Sequence, residues 1–194
     1  MKSMTGLLAA ALLWLPLSAR AEGFFQSSSD KPYDLQLDGG IGGWVGSVTD
    51  VTTSIGPAYG LIGAFNKNDV VSYELGYVGH SNGVDTTSRH LSSNKIQADI
   101  KAGVPLAGPV AWKPYLFGGV AVDFVASSTE AFGLNSSAQG VIPFGVGADF
   151  LRDKPLHIGA RGTYDWSPGV GGRVSPTDAH PDAWQAFVQA SASF

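Results

Sequence analysis

The 194-residue sequence predicts an all-β chain: an eight-stranded antiparallel up-and-down transmembrane β-barrel, preceded by a cleaved signal peptide. Three observations predict it. Segments of about ten residues alternate apolar and polar side chains, the period of a strand and not of a helix. The links between these segments alternate between short and long. Twenty-six glycines and a charged fraction of only 14% make long surface helices costly.

Residues 1–21 read as the signal peptide and 22–194 as the barrel domain. Lys2 supplies the positive start, "GLLAAALLWLPL" (residues 6–17) the short apolar run, and Ala19-Arg20-Ala21 an A-x-A cleavage site. The run is too short for a comfortable spanning helix, which needs about 20 apolar residues. Cleavage leaves ten basic against sixteen acidic side chains, a net charge near −6 by simple counting, so no nucleic-acid partner is expected. With no cysteine in the chain, hydrogen bonding and packing must hold an exported fold together without disulfides or thiolate ligands. After residue 21 no stretch offers 18 consecutive apolar residues, which excludes a helical anchor.

The strands follow in order. "YDLQLDGGIGGWV" (33–45) sets Leu35, Leu37, Ile41 and Val45 against Asp34, Gln36, Asp38 and Trp44. "PAYGLIGAF" (57–65), whose facing the pattern leaves open, turns at Asn66-Lys67-Asn68-Asp69 into "VVSYELGYVGH" (70–80), where Val71, Tyr73, Leu75 and Tyr77 oppose Ser72, Glu74, Gly76 and His80. Two strands about a tight turn make a hairpin. "NKIQADIKAGV" (94–104) sets Ile96, Ala98, Ile100 and Ala102 against Lys95, Gln97, Asp99 and Lys101; "PYLFGGVAVDF" (114–124) sets Leu116, Val120, Val122 and Phe124 against Asp123. "QGVIPFGVGADF" (139–150) and "LHIGARGTYDW" (156–166) are joined by "LRDK", with Arg161 and Asp165 facing away from Ile158, Ala160 and Tyr164. The last segment, "AWQAFVQASASF" (183–194), puts Trp184, Ala186, Val188, Ala190, Ala192 and Phe194 opposite Gln185, Gln189, Ser191 and Ser193.

Links after the second, fourth and sixth strands are short or moderate. Those after the first, third, fifth and seventh ("GSVTDVTTSIG", "SNGVDTTSRHLSS", "ASSTEAFGLNSSA", "SPGVGGRVSPTDAHPD") are long and polar, the asymmetry of bacterial outer-membrane barrels. A soluble sandwich or barrel alternates too, so the question is which face is inside. Aromatic residues near strand ends (Tyr33, Trp44, Tyr59, Phe65, Trp112, Tyr115, Phe124, Phe150, Trp166, Trp184, Phe194) suit girdles at two interfaces. Polar faces carrying both signs of charge suit a compensated interior. Closure satisfies every backbone group, as lipid demands.

"VVSYELGYVGH", "KPYLFGGVAVDF", "FGVGADF" and the terminal "AFVQASASF" resemble the small outer-membrane β-barrel superfamily, which includes the transmembrane domain of outer-membrane protein A and the opacity and adhesin-like barrels. The resemblance spans nearly the whole chain after the signal peptide and rests on hairpin patterns. It implies a bacterial outer-membrane location among lipid and lipopolysaccharide, and a last strand whose Trp184, Val188 and Phe194 form the lipid-side face and an address for the barrel-assembly machinery. Because the sequence stops at Phe194, no periplasmic peptidoglycan-binding domain is expected. The resemblance also implies an interior polar network, for which Glu74, Asp99, Lys101, Asp123, Arg161 and Asp165 are the candidates.

Catalytic and metal readings fare worse. "HIGARGTYDWSPG" superficially resembles the penultimate strand of lipid A deacylases, but Tyr164 and Trp166 stand where that family has its His and Ser, and neither can act as base or nucleophile. His80 and Ser81 are strand neighbours that point to opposite faces. Asp178, His180 and Asp182 in "DAHPD" could ligate a divalent ion, though the same residues are ordinary turn chemistry. His90 and His157 have no partner pattern. "GGIGGWVG" (39–46) lacks the helix and the Lys-Ser/Thr of a phosphate loop, and its glycines fit a tight barrel wall. No cofactor, catalytic residue or metal ligand is therefore expected. The sequence points to a monomeric, non-catalytic barrel with a structural or adhesin-like surface role through four polar outer loops, with a possible host or surface ligand there. Small-solute transport is the alternative, and a lipid-A-modifying enzyme a weaker one.

Overall fold

The computed structural model describes residues 30–50, 52–84, 89–108, 110–128, 135–152, 154–172, 174 and 180–194. The proposed signal peptide lies outside them. Eight strands form one closed antiparallel barrel in sequence order: β1 (Tyr33–Trp44), β2 (Gly56–Asn66), β3 (Val71–Gly83), β4 (His90–Gly103), β5 (Trp112–Ser127), β6 (Ser137–Phe150), β7 (Leu156–Gly171) and β8 (Ala183–Ser193). β1 and β8 close it, from Asp34 opposite Ser193 to Trp44 opposite Ala183. The sheet therefore has no free edge. Among the described residues no helix is long and apolar enough to cross a membrane.

The short links, at what is here termed the turn end, are fixed by local chemistry. The Asn68 carboxamide oxygen accepts from the amides of Val70 (2.9 Å) and Val71 (2.7 Å), so an Asx turn closes the β2–β3 hairpin. At the other, loop end the strands run further than the alternation suggests. β3 and β4 continue to Gly83 and from His90, absorbing most of "SNGVDTTSRHLSS", and β5 and β7 each reach 16 residues. A tilted strand crosses lipid in about 9–11 residues, so the excess stands clear of a bilayer's hydrocarbon. Polar Ser, Thr and Asn side chains do not prevent this pairing, because the ladder bonds are backbone bonds.

Burial is inverted relative to a soluble barrel. Leu37, Leu75, Leu116, Val146, Leu156 and Val188 are exposed on the outer wall, while Glu74, Lys95, Asp99, Lys101, Asp123 and Arg161 are buried within. The open facing of the second strand resolves to Ala58 and Ile62 inside with Tyr59 and Leu61 outside. Two aromatics expected in the girdles are instead interior. Trp44 and Tyr115 are 2% and 4% exposed, because both sit in register with the polar face of their strands and strand parity overrides nearness to a strand end.

The loop end is also less polar than its composition implies. Trp44, Val48, Val84, Leu91, Val125, Val174 and Ala183 form one buried apolar cluster across it. Val48 comes from a 3₁₀ turn, Ser47–Asp50, held by Thr49 on the Gly46 carbonyl and Thr52 on that of Val48. Isolated valines in Ser/Thr-rich links thus converge on a small cap over the barrel mouth.

Candidate functional site

The bore is filled by side chains in layers, as an eight-stranded barrel permits. At the turn end, Arg152 on the β6–β7 link reaches Asp34 of β1 (2.9 Å) and lies 3.2 Å from His157 Nε2 of β7. The central layer is organised by Arg161 of β7. Its Nη1 donates to Glu74 Oε2 of β3 (2.6 Å) and its Nη2 to Asp99 Oδ2 of β4 (3.0 Å), while the guanidinium lies 3.5 Å over the Phe117 ring of β5. Lys101 pairs with Asp149 (3.0 Å) and Glu74 (3.5 Å) and stands 4.0 Å over Tyr115. Arginine's fork suits this bridging of two carboxylates better than a point-charge ammonium.

Glycine makes room for these rings. A Cβ on Gly147 would collide with Tyr115, and one on Gly145 would strike the Gly162 carbonyl of β7 first and also stand 2.8 Å from Phe117. Sequence patterning records the glycines but not the rings they admit. The Tyr115 hydroxyl then donates to Gln189 of β8 (2.8 Å).

The loop-end half has a second pair, which sequence reasoning missed in part. Lys95 bonds Asp165 and donates to Gln185 Oε1 (3.1 Å), while Gln185 Nε2 donates to Asp165 (2.8 Å) and approaches His80 Nδ1 (3.3 Å). His80, fully buried, packs its ring 4.8 Å from that of Trp44.

The structure thus brings Glu74, Asp99, Lys101 and Arg161 into one network and places Asp165 in a separate one. Asp123 also lies buried in the bore but forms no ion pair among the described residues; it is held by the Ser93 hydroxyl (2.7 Å) and the Gln139 amide (3.2 Å). Asp38 is likewise held by Gln36 (2.9 Å) and Gln189 (3.3 Å). Charged residues of unlike sign on inward faces were visible in the sequence; which pairs meet depends on cross-bore distance, which it does not contain. Lys95, Asp149, Asp34 and Arg152 joined the networks on that ground.

Trp184, Val188 and Phe194 lie on the outer face, Val188 and Phe194 widely exposed. No group of three His, Asp or Glu residues placed to hold a metal occurs among the described residues; Asp178 lies outside them. His80 is buried in the bore while Ser81 meets the hydroxyl of Ser92 (2.9 Å), so the two do not form a nucleophile and base. Concavities among the described residues include two at opposite ends of the barrel. One, of about 480 Å³, runs along the outer wall at the turn end over Gly63, between Tyr33, Phe65, Tyr73 and Phe194; the other, about 300 Å³, opens at the loop end beside Trp166, His180 and Asp182.

No protein-family profile matches the chain, and no curated protein matches it in sequence. Solved structures do match. Neisserial surface protein A superposes with a TM-score of 0.66 at 13% identity, over 84% of this chain and 97% of that one. The outer membrane protein OprG of Pseudomonas aeruginosa gives 0.53 at 12% identity over 87% and 99%, and the N-terminal β-barrel domain of OprF from the same organism 0.52 at 14% over 83% and 97%. Low identity with near-complete coverage is what a fold defined by strand parity and backbone ladders produces. In fold, the chain is a small eight-stranded barrel of the outer-membrane type.

Proposed function

We propose that the protein is a non-catalytic β-barrel of the Gram-negative outer membrane, with a structural or surface-interaction role carried by its loop end. The observation that carries this reading is the closed bore. Its cross-section holds Arg161 between Glu74 and Asp99, and Lys95 against Asp165, and the apolar cap of Trp44, Val48, Val84 and Leu91 lies over the mouth. A solute path would have to break buried ion pairs and expose apolar surface together, which makes passage costly. The apolar outer wall and the inverted burial support a lipid surrounding, and neighbours with this fold include a Neisserial surface protein and an outer membrane protein of Pseudomonas aeruginosa. A rigid barrel that holds loops at a membrane surface suits recognition, since binding residues concentrate on loops positioned by a scaffold.

The test is reconstitution in planar bilayers together with cell binding. The proposal expects no reproducible unitary conductance, and loss of binding to host cells or matrix when the tips of the loops at 47–54 and 128–136 are shortened, with heat-modifiable gel migration retained. Steady, concentration-independent conductance steps would instead establish the transport reading. Altered lipid A acyl chains in cells making the protein would establish an enzyme.

A further inference from the structure

At the loop end, the seam of β7, β8 and β1 carries a small pocket of about 300 Å³ lined by Val45, Gly46, Trp166, Ser167, His180 and Asp182. That volume is at the bottom of the range for small-ligand sites. Its carboxylate is held in place from behind. Asp182 Oδ2 accepts from the Tyr164 hydroxyl (2.6 Å) and Oδ1 from the Ser167 amide (2.7 Å), while its own carbonyl accepts from the Val45 amide (2.8 Å). The Ser167 hydroxyl donates to the Pro181 carbonyl (3.0 Å), tying the same segment to β7 a second time. Each carboxylate oxygen retains a lone pair for a ligand. His180 lines the same pocket, and its buried Nδ1 has no hydrogen-bond partner among the described residues. The indole of Trp166, about half exposed, forms the apolar wall.

We propose that this pocket binds a single pyranose ring of a surface glycan; the proposal rests on the outer-membrane reading above. A flat aromatic face beside a fixed carboxylate and an imidazole matches the two-sided chemistry of a sugar, whose C–H face packs on a ring while its hydroxyls donate and accept at the edge. The volume admits one ring and not a chain. A metal ion fits less well, since one carboxylate and one imidazole beside an indole fall short of the ligand number a divalent ion takes. Trp166 lies on the outer wall at the loop end, at the level where membrane-anchored sugars and approaching glycans both meet the barrel. The shared chemistry is a neutral pyranose, whether it belongs to lipopolysaccharide core or to another cell.

The test uses the full chain refolded in micelles and titrated with methyl glycosides of glucose, galactose, mannose and heptose, with saturation transfer from protein to sugar read by NMR. Choline serves as the contrasting cationic probe. The expected result is transfer to at least one glycoside, weakened about tenfold by Trp166→Ala, the scale of one lost ring contact, and little changed by Trp166→Phe. His180→Ala should weaken it as well, with gel migration showing that each variant folds. Displacement by lipopolysaccharide core oligosaccharide or by glycans released from mammalian cells identifies the source. Absence of transfer, transfer undiminished by Trp166→Ala, displacement by neither glycan source, or transfer to choline alone overturns the proposal. A non-conducting barrel whose loops bind cells but which shows no transfer to any glycoside would overturn the pocket and leave the proposed function standing.

Discussion

Replacing Arg161 by Met removes a side chain that neutralises two carboxylates in the middle of the bore. Arg161 is 3% exposed, and its guanidinium serves Glu74 at 2.6 Å and Asp99 at 3.0 Å. Among the described residues Glu74 then keeps Lys101 at 3.5 Å, and Asp99 keeps the Gln97 amide at 2.6 Å. Breaking a buried pair by removing one partner costs about 3–5 kcal/mol, because the abandoned charge stays buried. Loss of the contact with Phe117 adds to this, by about 2 kcal/mol if the two effects were independent; they share one group, so the lower end of the combined range is expected. The sign of the argument is tested by the triple variant Arg161→Met, Glu74→Gln, Asp99→Asn, which removes the charges together. It should recover most of the loss, since a neutral replacement of a buried triad is often isoenergetic or better. The assay is reversible urea unfolding in lipid vesicles followed by tryptophan fluorescence. A single variant within about 1 kcal/mol of wild type, or a triple variant no more stable than the single, would refute the view that this network is desolvated and mutually compensating.

Other outcomes follow from the same geometry. Val188→Arg places a charge on the exposed outer wall of β8 and should destabilise the barrel in lipid by about 2–4 kcal/mol, measured by the same unfolding; no effect would mean that this face does not meet hydrocarbon. Gly147→Ala drives a Cβ into the Tyr115 ring whereas Gly39→Ala meets nothing within 4 Å, so only the first should lower stability, by about 1–3 kcal/mol. With no native cysteine to interfere, a Leu91→Cys thiol, fully buried within the cap, should resist a membrane-impermeant maleimide that rapidly labels Ile55→Cys, which is 55% exposed. Equal labelling would show the cap to be open. Trp44→Ala should cost about 3–5 kcal/mol as a buried aromatic and should speed labelling at Leu91→Cys.

Much of the architecture is written in single residues. Leu35, Leu37 and Ile41 against Asp34, Gln36 and Asp38, or Ile96, Ala98 and Ile100 against Lys95, Gln97 and Asp99, specify a two-faced strand wherever they occur, because the side-chain period of an extended backbone is two. That periodicity, recurring along the chain with alternating link lengths, determines strand number, antiparallel order and the set of inward charges, though not the facing of the second strand. It reached as far as the membership of Glu74, Asp99, Lys101 and Arg161 in an interior network.

It stopped where partners are chosen across space. Asp123 and Asp165 look alike in the sequence, yet one meets Ser93 and Gln139 and the other Lys95. Trp44 and Tyr115 look like girdle residues, yet parity turns them inward and Gly147 leaves room for one of them. Val48, Val84 and Val174, scattered through polar links, become a cap only when the loops fold over the mouth. Local alternation is a one-dimensional property carried by the chain; ion-pair choice, ring placement and the sealing of the bore depend on distances between strands far apart in sequence, and those distances exist only once the barrel has closed.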